Sequence, residues 1–415
     1  MEYHQESNTK ETNILHETKV QTPLLWIDAD PSGLVWTGLD CDDDLALLIA
    51  MALERRGKIK WEGLSICGGN APLMHTWPNV HRLLESVSYP KNRLVPKKGI
   101  GWNSMQLTWK SNRFFHWLHP DDADSNDAID AIVNISHSSS PVSILMLGPP
   151  TNLARALEKG IGKAIEHVYL MGGELTGQPL DLNFGSDRAA ARSVLQSDKF
   201  RKTIIPIQTC GQVIVTRWHL ENLLACHQNK ATASNWPTAC ALMPKMVQQV
   251  YLMPKWVNPH VEKRLLHGTS RWKLSPNLTR GFVPWDVVAL LAITHSDELF
   301  TDWEYHRVEV PSCIQGEPCD RNISVASIPL PVDDVLSNSF NWSNVVRVPH
   351  TIRNEAQFLD TMFDLLRDVQ SEANQAPRMF WGFLPTITTV FGVPFATLFV
   401  LYLCNWSTQK KKCSR

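Results

Sequence analysis

Residues 24–53 read LLWIDADPSGLVWTGLDCDDDLALLIAMAL, and this stretch decides the architecture. Leu24 to Ile27 is an apolar run that closes on Asp28-Ala29-Asp30. Leu45 to Leu53 is apolar on every side and follows three aspartates. The first run has the length and character of a strand buried on both faces, the second of a buried helix. Asp28, Asp30, Asp40, Asp42, Asp43 and Asp44 fall within seventeen residues. Helix capping and the helix dipole account for one or two aspartates at a helix start. They do not account for six. That much negative charge at one sheet edge calls for a cation or for protonation. An oxygen-only donor set points to Ca²⁺ or Mg²⁺, and several carboxylates with few waters suit Ca²⁺.

The same alternation continues outward. Trp61 to Ile66 reads as a strand before Gly68-Gly69-Asn70, and Trp77 to Val87 as a helix. Val142 to Leu147 is strand-like, then Gly148-Pro149-Pro150 leads into a helix from Thr151. Val168 to Met171 ends at Gly172-Gly173, and Thr203 to Ile207 is a further strand. Strand, turn and helix in this order predict an α/β fold, a mainly parallel sheet flanked by helices with a Rossmann-like core. Ligands of such sheets bind beyond the carboxyl ends of the strands, where the polar residues gather here. Residues 211–280 are rich in Trp, His and Asn and give no clear pattern; residues 311–345 read as loops and short strands. Asn354 to Val369 is a good helix, with a polar hinge over Gln370 to Pro377.

Composition narrows the function. Lys+Arg is 40 against Asp+Glu 41, which speaks against a nucleic-acid binder driven by counterion release. With 43% apolar and 20% charged residues the chain is no charge-driven disordered polymer. Nine cysteines lie scattered without a C-x-x-C pair, so zinc ribbons and thioredoxin-like sites are not expected. Cys313 and Cys319 would close a small loop only in an oxidising compartment; free thiols are the plainer reading.

The two ends differ. Residues 1–22 carry Glu2, Glu6, Glu11 and Glu17, have no apolar core, and read as a solvated tail. From Met379 to Gln409 there is no charged residue, and 381–406 is long enough to cross a bilayer as a helix. Trp381, Tyr402 and Trp406 are interfacial aromatics, and Lys410 to Lys412 follow. Cys404 and Cys413 are positions where palmitoylation is chemically available. The expected organisation is a tail over 1–22, one domain over 23–372, a hinge over 373–380, a transmembrane helix over 381–406 and a basic tail over 407–415. A late anchor with no leading signal places the domain in the cytosol. Positive charge after the span and five N-x-S/T triplets (Asn134, Asn277, Asn322, Asn341, Asn405) keep a lumenal or extracellular domain as the alternative.

The order of the motifs resembles the inosine–uridine preferring nucleoside hydrolase family. Its D-x-D-P-G-x-D-D-x-x-A-L signature is matched by Asp28-Ala29-Asp30-Pro31 and, after an extra stretch Ser32 to Cys41, by Asp42-Asp43-Asp44-Leu45-Ala46-Leu47. The aligned pair is Asp42-Asp43 or Asp43-Asp44, with Ala46-Leu47 favouring the former. Gly69-Asn70 is similar to the family's ribose-binding turn. Gly148-Pro149-Pro150-Thr151-Asn152-Leu153-Ala154 is similar to its G-P-L-T-N-x-A segment. Met171-Gly172-Gly173, Asp181-Leu182-Asn183-Phe184 and Asp187 resemble M-G-G … E-x-N-F-x-x-D, with Asp181 in place of Glu. Pro284-Trp285-Asp286-Val287-Val288-Ala289 resembles the H-D-x-x-A segment, with Trp285 in place of a His.

The resemblance implies Ca²⁺-dependent hydrolysis of the N-glycosidic bond of ribonucleosides, in purine and pyrimidine salvage, by a protein that often forms oligomers. It implies Ca²⁺ on Asp30, Asp43, the Thr151 carbonyl and Asp286, with Asp30 as the catalytic base. Asp42, Asn70, Asp181 and Asn183 would hold the ribose, and Trp285 would stack on the base. Leaving-group acids to weigh are His75, His81 and His219, each equally at home as a surface or packing histidine. The rival readings are a membrane-anchored nucleoside- or ribose-binding protein that has lost turnover, an aspartyl phosphotransferase, and a sugar-nucleotide transferase using D-x-D. The phosphotransferase lacks a Thr or Val two residues after Asp30, and the transferase has no further support in the sequence.

Overall fold

The computed structural model describes residues 22–33, 41–105, 122–175, 181–216, 219, 281–309, 326–331 and 341–373. The expected tail 1–22 except Thr22, most of the inserted stretch, the greater part of 211–280, Cys313, Cys319 and the candidate membrane segment 381–406 lie outside the described residues. Among the described residues no helix is long and apolar enough to cross a membrane.

In chain order the strands are β1 (Leu24–Ala29), β2 (Lys60–Ile66), β3 (Lys97–Lys98), β4 (Val142–Met146), β5 (Ile165–Met171), β6 (Arg201–Ile205), β7 (Val215–Thr216), β8 (Gly281–Phe282), β9 (Phe300–Glu309), β10 (Ala326–Leu330) and β11 (Val345–Ile352). The helices are α1 (Asp42–Arg55), α2 (Leu73–Ser86), α3 (Asp127–Ile135), α4 (Thr151–Lys159), α5 (Leu182–Ser186), α6 (Arg188–Gln196), α7 (Ile207–Cys210), α8 (Trp285–Thr294), α9 (Ser296–Leu299) and α10 (Glu355–Ala373). Nine strands form one sheet in the order β10-β9-β11-β6-β5-β4-β1-β2-β3, and β7 and β8 form a separate antiparallel pair.

The expectation of a mainly parallel sheet flanked by helices is met. From β3 through β1 to β11 every neighbour is parallel. Only the edge departs, where β9 runs antiparallel to both β10 and β11. β1 lies inside the sheet between β2 and β4, which explains its near-continuous apolar run. Two apolar layers cover the faces. One is built around α1, α8 and α10, the other around α3, α4 and α6.

In α1 every residue from Asp42 to Leu53 is buried. Such a helix has no wet face and must be enclosed, here by α8 on one side and α10 on another. Arg56 just beyond α1 reaches Asp364 at 2.8 Å and Asp368 at 2.6 Å on α10. These pairs are exposed and contribute at most about 1 kcal/mol, so apolar contact carries the docking.

Of the hinge expected over Gln370 to Pro377, Gln370 to Ala373 belong to α10 and the rest lies outside the described residues. Gln370-Ser371-Glu372-Ala373 contains no helix breaker, and the first proline is Pro377. At its start the Asn354 side chain accepts the N–H groups of Ala356 and Gln357. Cys41, Cys67 and Cys210 are buried.

Candidate active site

The carboxyl ends of β1, β2, β4 and β5 and the starts of α1 and α8 meet in one place. Asp30 follows β1, and Asp42 and Asp43 open α1. Asp286 sits in the first turn of α8. All four are 3% exposed or less. Asp42, Asp43 and Asp286 each bring a carboxylate oxygen within 4.8 Å of the others.

Hydrogen bonds fix this group. The Asp30 N–H donates to Asp43 Oδ1 at 3.0 Å, and the Asn70 side chain donates to Asp43 Oδ2 at 2.8 Å. The Asn70 N–H donates to Asp30 Oδ2 at 2.5 Å. Asp42 accepts the N–H of Asp43 at 3.2 Å and of Asp286 at 3.3 Å. Asp42, expected at the sugar hydroxyls, therefore stands in the same carboxylate group as Asp43 and Asp286.

Two glycines press on Asp30. A Cβ on Gly69 would lie 1.9 Å from Asp30 Oδ2, and one on Gly148 would lie 2.6 Å from Asp30 Oδ1. Both turns must be glycine for backbone to come this close.

The electrostatics follow from the crowding. Burial first, then the Asp30 charge, holds the Asp43 carboxyl well above the usual carboxylate range. Asp286 is likewise pushed well up, by burial first and then by Asp42, Asp43 and Asp30. Buried like charges at this spacing require protons or a cation. All the converging donors are oxygens, which fits a hard divalent ion.

Asp44 turns elsewhere. It accepts the Asn79 side chain at 2.7 Å and the Gly33 N–H at 2.7 Å, so it ties α1 to α2 and to the loop after β1. This geometry favours Asp42-Asp43 as the pair facing the site. Asp28 is also structural. It accepts from Ser65 and, at 2.8 Å, from Asn152, whose Oδ1 takes the Ile100 N–H at 3.0 Å. Asn152 thus joins α4 to β1 and to the loop after β3.

The remaining expected residues stand at the starts of α4, α5 and α8. Thr151 starts α4, and its hydroxyl donates to Asp187 at 2.9 Å; Asp187 also accepts the Ala190 N–H as the cap of α6. Asn183 gives its amide N–H groups to the carbonyls of Leu147 (2.5 Å) and Met171 (3.1 Å), leaving Oδ1 as its acceptor. Asp181 caps α5 by accepting the N–H groups of Asn183 and Phe184, and burial first raises its carboxyl to about 6. Capping places one N–H on each oxygen of this side chain expected at the sugar, and a carboxylate oxygen can accept a second donor. Trp285 begins α8 and packs half-buried against the core.

The histidines weighed as acids are placed as follows. His75 is half-buried on α2, and exposed His81 stands edge-on to Trp77. His219 meets Thr216 at 3.1 Å and lies near Phe363 of α10.

Sequence reasoning passed over Glu174. It is 1% exposed, directly follows the Gly172-Gly173 turn after β5, and accepts from Gln208 of α7. A carboxylate three residues beyond a strand's carboxyl end was the available signal. Asp122 was missed too; it accepts the N–H groups of Met74 (2.8 Å) and Trp102 (2.7 Å) and ties the start of α2 to the segment after β3.

The buried carboxylates set a pH dependence. Burial raises Asp28 and Asp44 from 3.8 to about 6. A carboxyl with a raised folded value binds more protons when folded, so its contribution is fully present below about pH 4 and is lost as pH rises through about 6. We expect the protein in chelator to lose about 1–3 kcal/mol of stability per such carboxyl between pH 4.5 and 7.5. Urea unfolding across that range checks this; stability that rises with pH contradicts it.

Three comparisons bear on the site. The family model described as inosine-uridine preferring nucleoside hydrolase matches residues 25–369. No curated protein sequence matches the chain. Among solved structures, a purine-preferring ribonucleoside hydrolase from Gardnerella vaginalis is similar at TM-score 0.55 and 18% identity, covering 85% of this chain and 100% of its own. A plant nucleoside hydrolase, the PpNRh1 enzyme, is similar at TM-score 0.55 and 17% identity, covering 83% and 99%. An inosine-uridine preferring nucleoside hydrolase from Bacillus anthracis is similar at TM-score 0.51 and 13% identity, covering 84% and 99%. At these identities the structural likenesses speak for the fold alone.

Proposed function

The chain belongs to the inosine-uridine preferring nucleoside hydrolase family and is a hydrolase acting on N-glycosyl compounds, and on that premise we propose that it is a Ca²⁺-dependent enzyme of nucleoside salvage that cleaves ribonucleosides to ribose and free base. The observation that carries this reading is the buried convergence of Asp42, Asp43 and Asp286 beside Asp30 at the carboxyl edge of the sheet. Asp30, Asp43, Asp286 and the Thr151 carbonyl would hold the ion. When bound, the ion supplies the positive charge that lowers the pKa of a water.

The chain's own groups do the rest. Asp30 accepts the proton of the attacking water, with its carboxylate held by the Asn70 N–H and pinned by Gly69 and Gly148. Asn70, Asn183, Asp42 and Asp181 position the ribose; Asn183 offers Oδ1, because its N–H groups are bound to backbone. Trp285 stacks on the leaving base in place of an imidazole.

The direct test follows ribose from inosine, adenosine, uridine and cytidine with Ca²⁺ present and after chelation. Release that needs Ca²⁺ supports the reading. Folded, Ca²⁺-loaded protein that releases no ribose overturns it in favour of a nucleoside-binding role.

Gly69→Ala gives a sharper expectation. The added methyl lies 1.9 Å from Asp30 Oδ2 and must displace it. We expect kcat to fall by about 100-fold, the order attached to misplacing a catalytic group by 1 Å, with KM little changed. Steady-state kinetics decide this, and a rate within threefold of wild type refutes it.

We assign residues 381–406 to a membrane anchor, with the catalytic domain on the cytosolic side, on sequence grounds. The full chain should resist carbonate extraction from membranes and a chain ending at Ala373 should not. Equal extraction of the two removes the anchor.

A further inference from the structure

Away from the carboxylate group, β9 and β11 bring a second set of ligand-type atoms together. Glu304 pairs with Val348, and His306 with Val346, in the antiparallel register. His350 lies two residues beyond Val348. With a period of two, Glu304, His306 and His350 share one face of the sheet, the histidines to either side of the glutamate.

Their side chains converge. His306 Nε2 and His350 Nε2 are 2.9 Å apart, and Glu304 Oε2 is 3.4 Å from the first and 3.3 Å from the second. His306 is 3% and His350 9% exposed, whereas the Glu304 side chain is 32% exposed. The set therefore has a buried interior and one door to solvent.

Two neutral imidazoles need at most one hydrogen bond between them, and that accounts for the 2.9 Å contact. A carboxylate oxygen nearly equidistant from the same two nitrogens is met by an imidazolium shared between the two rings or by a tetrahedral cation, and the cation needs no charged imidazole in a buried place. Ligand atoms about 2.05 Å from zinc are about 3.3 Å from one another, so the observed triangle needs only a few tenths of an ångström of adjustment. Two imidazoles and one carboxylate suit zinc and its transition-metal neighbours. Strand order places β11 four positions from β1, roughly 19 Å at about 4.8 Å per strand, so this set is separate from the catalytic carboxylates.

We propose that Glu304, His306 and His350 form a zinc-class metal site, with solvent as the fourth ligand on the Glu304 side, that cross-links β9 to β11. The ion would brace the part of the sheet where parallel pairing gives way to antiparallel pairing.

The test uses the full chain, stripped with chelator and then kept in excess Ca²⁺ so that the carboxylate group is filled. Titration with Co²⁺ should produce the intense visible bands of a tetrahedral site, bleached by one equivalent of Zn²⁺. Zn²⁺ should also raise Tm. His350→Gln should weaken Co²⁺ binding by about 100-fold or more, beyond the 10- to 100-fold typical of changes behind the ligands. Glu304→Gln, at a partly exposed position that leaves folding intact, should weaken it by about 10-fold. Wild-type protein that gives only the weak bands of oxygen coordination overturns the proposal and leaves a His–His hydrogen bond beside a glutamate. Equal affinity in wild type and both variants overturns it as well. No readout uses nucleoside turnover, so a protein that fails to release ribose could still carry this site.

Discussion

Asp30→Asn protein is expected to fold, to bind nucleoside, and to release ribose about 10³- to 10⁴-fold more slowly than wild type. Asparagine has the shape of aspartate, so it fits beneath Gly69 and Gly148, where a larger side chain would not. It keeps an oxygen for the Asn70 N–H. It cannot take a proton at neutral pH, and it removes one of the buried charges that push Asp43 and Asp286 upward. Loss of activity should therefore come without loss of stability: in chelator, Tm should equal or exceed that of wild type. The two readings must be taken together. A variant that is slow because it is unfolded says nothing about the base. A stable variant within tenfold of the wild-type rate removes Asp30 from that role.

The second large effect concerns the sugar. Nucleosides lacking the 2′- or 3′-hydroxyl should be cleaved about 10⁴-fold less efficiently than their ribo counterparts, as kcat/KM. The reason is the polarity of the groups around the carboxylates. Asn183 has its N–H groups bound to the Leu147 and Met171 carbonyls and is 9% exposed, so a sugar hydroxyl is the natural donor for its Oδ1. A substrate without that hydroxyl leaves a buried acceptor unsatisfied and desolvated, a cost of about 1–3 kcal/mol for each such group, so a ratio of about 10⁴-fold (about 5.5 kcal/mol) requires that Asn70 and Asp42 lose sugar partners together with Asn183. Competition between inosine and 2′-deoxyinosine measures the ratio. A ratio near unity would show that the sugar is held by shape alone.

Most of the parallel sheet was legible because buried parallel strands are short apolar runs that end in glycine or aspartate. β1, β2, β4 and β5 have this form, whereas β6 closes on Pro206. The candidate site was legible to the extent that its residues sit soon after those strands: Asp30, Asn70 and Thr151 could be placed by counting from a strand end, whereas Asn183 lies twelve residues beyond β5. Direction was less accessible. Nothing local says that Asp44, adjacent to Asp43, turns to Asn79 and Gly33 instead of to Asp286. Nor does sequence say that Asp181 would spend its oxygens on a helix cap. Both are settled by three-dimensional partners that compete for one carboxylate. The Glu304, His306 and His350 set was invisible for another reason. It depends on the pairing register of strands forty residues apart, and only the alternation of Glu304 with His306 hinted at it.

The enclosure of α1 has a consequence in time. This helix is made within the first 55 residues, yet its covering elements are α8 and α10, which end at residues 294 and 373. At about 5–20 residues per second, tens of seconds separate the synthesis of the helix from that of its cover. Throughout that interval the nascent chain carries a nearly all-apolar segment with nowhere to dock. Newly made chains should accordingly depend on holdase chaperones until late in translation, and fragments that stop before α10 should aggregate even though they contain every proposed catalytic residue.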